Sequence, residues 1–97
     1  MSKFLPKDFD ASRPLALIAG RDTYPALLAE RARATGVPVR LIELQGETSP
    51  ELVDSFSIDE RATVKVGQVG KLLKALKKFG AGYAVMAGQV TPGKLFR

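Results

Sequence analysis

The sequence predicts an α/β fold: a parallel sheet of about four strands, with helices on both faces. Three observations carry this. Short apolar runs alternate along the chain with longer stretches of helical periodicity. Glycines 20, 46, 67 and 88 each fall just past one of those runs. Leu15-Ala16-Leu17-Ile18-Ala19 is apolar throughout rather than alternating, as a strand covered on both faces should be. The order β-α-β-(short helix)-β-α-β implies right-handed crossovers. Analogy with doubly wound sheets gives the strand order 3-2-1-4.

The elements follow in turn. Residues 1–14 are polar, of mixed charge, and carry Pro6 and Pro14. They read as an extended arm, with Phe4 or Phe9 packing on the body. The first strand covers 15–19. Thr23 is a fair N-cap, and Pro25 sits where a first helical turn tolerates it. A helix over 24–35 follows, capped by Gly36 and stopped by Pro38, with Tyr24, Leu27, Leu28, Ala32 and Thr35 near one face. The second strand is 39–44, ended by Gly46. Ser49-Pro50-Glu51 starts a short helix reaching about residue 55. The third strand is 62–66, closed by Gly67. The second long helix runs 69–79, with Val69, Leu72, Leu73 and Leu76 spaced i, i+3, i+4, i+7. Gly80 caps it, and the fourth strand is 83–87. The body is thus one domain, 15–97.

Composition narrows the chemistry. The chain has 97 residues and neither cysteine nor histidine. There is no disulfide framework, thiolate metal site, histidine base or Ser-His-Asp triad to find. Fifteen basic against ten acidic residues give a net charge of +5, which favours anionic partners without choosing among them. No run approaches the roughly 18 apolar residues of a membrane span, and Met1-Ser2-Lys3-Phe4-Leu5-Pro6 has no signal-peptide core. The chain reads as cytoplasmic.

Four constellations could carry function. In Gly20-Arg21-Asp22-Thr23-Tyr24-Pro25, backbone amides at a helix start could hold a phosphate, with Arg21 as counter-charge. The same residues also make an ordinary capped turn in which Asp22 favours the helix dipole. Gly67-Gln68-Val69-Gly70-Lys71 is not a P-loop, because Lys65 stands where its first glycine belongs and Leu72 where its Ser or Thr belongs. Gly70 and Lys71 nevertheless break local rules at a helix start, by propensity and by dipole. An anion would explain both; close packing of Gly70 on the sheet and a solvated Lys71 would serve as well. Lys71, Lys74, Lys77 and Lys78 form a basic face that is solvated by default. Nucleic acid or an anionic bilayer are the sharper readings, and no aromatic interleaves to stack bases. In Gly88-Gln89-Val90-Thr91-Pro92-Gly93, Gln89 and Thr91 could hydrogen-bond a sugar or base, or the segment is a linker.

Three ordered stretches resemble a known family: Leu17-Ile18-Ala19-Gly20 leading to Pro25, Val66-Gly67-Gln68-Val69-Gly70-Lys71-Leu72-Leu73-Lys74-Ala75-Leu76, and Val85-Met86-Ala87-Gly88-Gln89-Val90. Together they resemble the N-terminal domain of the UDP-2,3-diacylglucosamine pyrophosphatases of lipid A biosynthesis that lack calcineurin-like motifs. The resemblance implies a Rossmann-like N-terminal domain. It also implies a metal-dependent hydrolase, with magnesium the expected divalent ion, that yields UMP and lipid X. The essential acidic residues would lie in a C-terminal catalytic domain absent from this chain, so no catalytic or metal-binding residue is carried over. Gly20, Gly67, Gln68, Gly70, Lys71 and Gly88 match family positions on the crevice side. The family's glycine-rich turn reads Gly-Arg-Asp-Thr-Tyr-Pro here, so Arg21 is expected to compensate as a charged contact.

The expected substrate-binding set is Gly20, Arg21, Thr23, Gly67, Gln68, Gly70, Lys71, Gly88 and Gln89, with a UDP-linked diacylated glucosamine as substrate. The domain alone should be inactive and bind no metal. A free-standing nucleotide- or phosphate-binding module is the alternative, and a nucleic-acid binder a weaker third. A fragment of this kind is also expected to expose an apolar face where a second domain would sit, and to self-associate through the crevice or through residues 90–97. Contact with the inner face of the inner membrane is a further expectation.

Overall fold

The computed structural model describes residues 12–89. Four parallel strands form one sheet: β1 (Leu15–Ala19), β2 (Val39–Leu44), β3 (Arg61–Val64) and β4 (Tyr83–Ala87). Their order is β3-β2-β1-β4, as expected by analogy with doubly wound sheets. Three α-helices connect them: α1 (Tyr24–Ala34), α2 (Pro50–Asp54) and α3 (Val69–Phe79); a 3-10 turn, Ile58–Glu60, leads into β3. The chain is a Rossmann-like α/β domain.

The central strand β1 is buried along its whole length, which explains its unbroken apolar run. Its alternate side chains divide the core. Leu17 and Ala19 join Val39, Leu41 and Ala87 under α1 and α2, where Ala29, Leu52 and Phe56 cover them. Ala16 and Ile18 join Ile42, Leu44 and Val64 on the opposite face, under α3. Complete burial of a leucine or isoleucine side chain contributes about 1.5–3 kcal/mol, so Leu17, Leu41 and Ile42 anchor the sheet.

Several expectations from the sequence need correction. Strand β3 is Arg61–Val64, not 62–66, because the chain turns at Lys65. There the Gln68 side chain accepts from the Lys65 amide at 2.9 Å, and the Gln68 amide donates to the Lys65 carbonyl at 3.0 Å. Helix α1 ends at Ala34, with Thr35 as C-cap and Gly36 following at φ +84°. Its buried face carries Pro25, Leu28, Ala29 and Ala32, while Tyr24, Leu27 and Thr35 are exposed. On α3 the sheet side is Leu72, Ala75, Leu76 and Phe79; Val69 and Leu73 remain 62% and 59% exposed. The apolar stripe of α3 is wider than the surface it covers. Residues 1–11, including Phe4 and Phe9, and residues 90–97, including Thr91, lie outside the described residues.

The last part of the arm is fixed by a residue the sequence did not single out. The Arg13 guanidinium donates to the carbonyls of Gly80 and Ala81 at 3.2 and 3.0 Å. A cation there satisfies carbonyl groups at the negative end of the α3 dipole.

Candidate functional site

All four strands end on one edge of the sheet, and the expected site residues follow three of them. At its centre the two Ala-Gly turns are joined. The Gly20 amide donates to Ala87 at 2.7 Å, Arg21 to Gln89 at 2.7 Å, and Gln89 back to Arg21 at 3.3 Å. Arg21 and Gln89 form an antiparallel bridge across the tops of two parallel strands. Glycine is required on both sides. A Cβ on Gly20 would lie 2.5 Å from the Gln89 carbonyl oxygen. Gly88 has φ +90°, and a Cβ there would strike the carbonyl of Arg21.

This junction uses up much of the donor capacity of the first turn. The Gly20, Arg21 and Gln89 amides are bonded to backbone, and the Tyr24 amide donates to the Asp22 carboxylate at 2.8 Å. Asp22 has φ +75°, the only positive value among the described non-glycine residues. Its carboxylate therefore occupies the place at the start of α1 where an anion would sit. Thr23 is the N-cap by position but makes no side-chain capping bond. The Arg21 side chain is exposed, with no ion pair among the described residues.

Gly67, Gln68, Gly70 and Lys71 assemble separately, at the start of α3 beyond β3. Two strands, β2 and β1, lie between β3 and β4. The spacing of about 4.8 Å per strand puts roughly 14 Å between the ends of β3 and β4. Gly67 turns the chain at φ +93°, and the Gln68 side chain is engaged by Lys65. Gly70 is different. A Cβ there meets nothing within 4 Å, and its φ is not positive. Close packing on the sheet therefore does not explain this glycine. Lys71 is exposed beside it, as are Lys74, Lys77 and Lys78 farther along α3.

Thr48, which the sequence reading missed, ties the edge together. Its hydroxyl accepts from the Leu44 amide at 2.8 Å and donates to the Ala19 carbonyl at 2.5 Å, linking the ends of β2 and β1. Among the described residues, Thr48 and its neighbour Glu47 are polar residues buried with the core. The only local signal was Ser49-Pro50, which opens α2 with Ser49 accepting from the Leu52 amide at 3.3 Å. Beside Thr23, a shallow depression of about 540 Å³ opens between α1 and α2, lined by Asp22, Thr23, Ala26, Ser49, Glu51, Leu52 and Ser55. Its two carboxylates disfavour an anion, so the basic and apolar parts of the edge are better placed for one.

Among the described residues, no group of three or more His, Cys, Asp or Glu is placed to hold a metal ion. These residues do not fit a catalytic metal. No helix among the described residues is long and apolar enough to cross a membrane.

A relative in Caulobacter vibrioides, UDP-2,3-diacylglucosamine pyrophosphatase LpxI, is 34% identical over 79 residues, which are 81% of this chain and 27% of that protein. The chain thus spans about a quarter of the length of this curated relative. The family match covers residues 14–97, beginning just before β1 and including every expected site residue. With its sheet order and paired glycine turns, the chain belongs to the LpxI N-terminal domain family.

Proposed function

We propose that this chain is the N-terminal, substrate-binding part of a hydrolase acting on UDP-2,3-diacylglucosamine to give UMP and lipid X. The observation that carries this reading is Gly70-Lys71. It is a glycine with no conformational or packing requirement, next to an exposed lysine, at the positive end of an eleven-residue helix. A pyrophosphate approaching the start of α3 would account for both, through close backbone approach and charge pairing. Gly67 shapes that loop and Gln68 closes it. Gly20, Gly88, Gln89, Arg21 and Thr23 form the second contact region across the strand ends, and Arg21 supplies its free cation.

In this reading hydrolysis, with its divalent metal, belongs to a further part of a longer protein like the Caulobacter relative, and the reaction takes place in the cytoplasm.

 That location rests on the composition and on the nucleotide-linked substrate. The 97-residue chain alone should therefore bind without turning substrate over. Two measurements test this. Substrate hydrolysis should be undetectable with the isolated chain, and any turnover by it sinks the division of labour. Titration with UDP should perturb the amide resonances of Gly67–Lys71 and of Gly20 and Gly88 together. Perturbation by inorganic phosphate alone, equal to that by UDP, would favour the alternative of a free-standing phosphate-binding module.

A further inference from the structure

Charge is distributed unevenly along this chain. Residues 1–60 hold all ten acidic residues and seven basic ones; residues 61–97 hold eight basic residues and no acidic one. The fold turns this asymmetry in sequence into one in space. The side of the sheet under α1 and α2 is mixed, with Asp22, Glu30, Glu51 and Asp54 exposed among arginines. The opposite side is covered by α3, whose charged residues are all lysines: Lys71, Lys74, Lys77 and Lys78. Each of the four is exposed. The ion pairs among the described residues, Arg40–Glu60 and Arg61–Asp54, involve none of them. Lys71 and Lys74 are spaced i, i+3, and Lys74 and Lys78 i, i+4, so like charges are neighbours on the helix surface, at a cost the fold does not require.

The same outer face carries apolar residues. Leu72, Ala75, Leu76 and Phe79 lie against the sheet. At 3.6 residues per turn, Gly70, Lys74 and Lys77 then project most directly away from it. Lys71 and Lys78 lie on one flank of that line, and Val69 and Leu73 on the other. The two apolar residues are 62% and 59% exposed. Single exposed apolar side chains are ordinary on a protein surface. Two of them one turn apart, bordered by cations alone, have the composition of a helix that lies in the plane of a lipid surface.

We propose that the outer face of α3 docks on an anionic lipid bilayer, with Lys74, Lys77 and Lys78 against the headgroups and Leu73 entering the interface beside them. Charge complementarity selects an anionic surface, and the mixed side under α1 and α2 turns away from it. The exposed apolar pair selects lipid over nucleic acid. A phosphate backbone offers Val69 and Leu73 nothing, and no aromatic side chain stands exposed on α3 to stack on a base. The cations point the same way. All are lysines, which act as point charges on long stems that let a head reach water while the stem lies on apolar surface; none is an arginine, whose fork suits paired phosphate contacts. Helix α3 is about 16 Å long at 1.5 Å per residue, and Gly70-Lys71 begin it. Docked in this way, it holds that turn at the level of the headgroups. A diacylated, pyrophosphate-linked substrate could then present its pyrophosphate with its acyl chains still in the bilayer; this last step rests on the proposed activity, and the docking itself does not.

Vesicle sedimentation tests the surface without any substrate. The chain should bind vesicles of phosphatidylcholine mixed with phosphatidylglycerol, not phosphatidylcholine alone, and binding should fall as salt rises. The combined variant Lys74→Gln, Lys77→Gln and Lys78→Gln should bind about a hundredfold more weakly, at about fivefold per lysine. Arg31→Gln, on α1, should bind as the parent does. The chain lacks tryptophan, so an introduced indole reports contact directly. Emission of Leu73→Trp should shift to the blue on the mixed vesicles, and that of Leu27→Trp, on α1, should not. All these positions are exposed, so the variants are expected to fold, and thermal unfolding checks that they do. Absence of binding to the mixed vesicles overturns the proposal. Binding that survives the triple lysine replacement overturns it as well, as does a shift at Leu27→Trp without one at Leu73→Trp. Binding of duplex RNA that the triple variant loses, with no vesicle binding, overturns it in favour of nucleic acid. The vesicles hold no nucleotide, so this outcome stands apart from the UDP titration that tests the proposed activity.

Discussion

Arg21 and Gln89 bond to each other through their backbones, at 2.7 Å from the Arg21 amide and 3.3 Å from the Gln89 amide. This bridge closes the space directly between the tops of β1 and β4. The two glycine turns therefore form a rigid floor at the switch point of the sheet, and a ligand there has to lie above them.

The floor should be intolerant of a single methyl group. In Gly20→Ala the new Cβ meets Gln89 backbone atoms at 2.5 and 2.8 Å, and none of these is the end of a flexible side chain. A loss of about 1–3 kcal/mol is expected, as for other overpacking changes. Gly36→Ala is the control, with φ +84° but nothing within 4 Å, so only the left-handed backbone term of about 1 kcal/mol applies. Urea unfolding of the two variants checks the order; equal losses would mean that the Gly20–Gln89 contact is not tight.

Thr48 should behave as a clasp. Thr48→Val keeps the shape but leaves the Leu44 amide and the Ala19 carbonyl without their hydroxyl partner. Buried groups left in that state cost about 1–3 kcal/mol, and Thr48→Ser should recover most of the loss. The unfolding midpoints of the three proteins decide it, and a Val variant as stable as the parent refutes it.

Arg13 should contribute modestly from an exposed position. Arg13→Ala removes two charge-assisted bonds to the carbonyls that follow α3, with an expected loss of about 1 kcal/mol. Arg13→Lys should restore only part of it, because one ammonium cannot reproduce the fork. Amide exchange at the end of α3 should accelerate in Arg13→Ala and not at its start.

Much of this architecture was legible in the sequence. The unbroken apolar run of β1 pointed to its burial on both faces, and analogy with doubly wound sheets supplied the strand order. The apolar faces of α1 and α3 were misjudged for one reason. Periodicity locates a stripe but not how much of it the neighbouring surface covers, so Leu27, Val69 and Leu73 were placed inside and lie exposed. Glycines at 20 and 88 were visible as turn residues, but the contact between their turns joins residues distant in sequence. Thr48 and Arg13 gave no pattern because each makes isolated bonds to backbone, which no spacing rule encodes.

Gly70 and Lys71 separate fold from function most sharply. The fold needs neither residue, since a Cβ at position 70 enters open space and Lys71 stands at the positive end of α3. Gly70→Ala should stabilise the domain by up to about 1 kcal/mol through helix propensity. Lys71→Ala should be neutral, or more stable by a few tenths of a kcal/mol, because it removes a cation from the helix N-terminus. A diphosphate bound there reverses both effects: Gly70→Ala blocks close approach, and Lys71→Ala removes a charge-assisted bond of about 1.5–3 kcal/mol. Both variants should therefore raise Tm or leave it unchanged while weakening UDP binding about tenfold, with the Lys71→Ala deficit shrinking as salt screens the lost charge. Calorimetric titration at two ionic strengths, beside thermal unfolding, measures both quantities. Unchanged affinity in both variants would remove the start of α3 from the binding surface and leave Gly70 without a function.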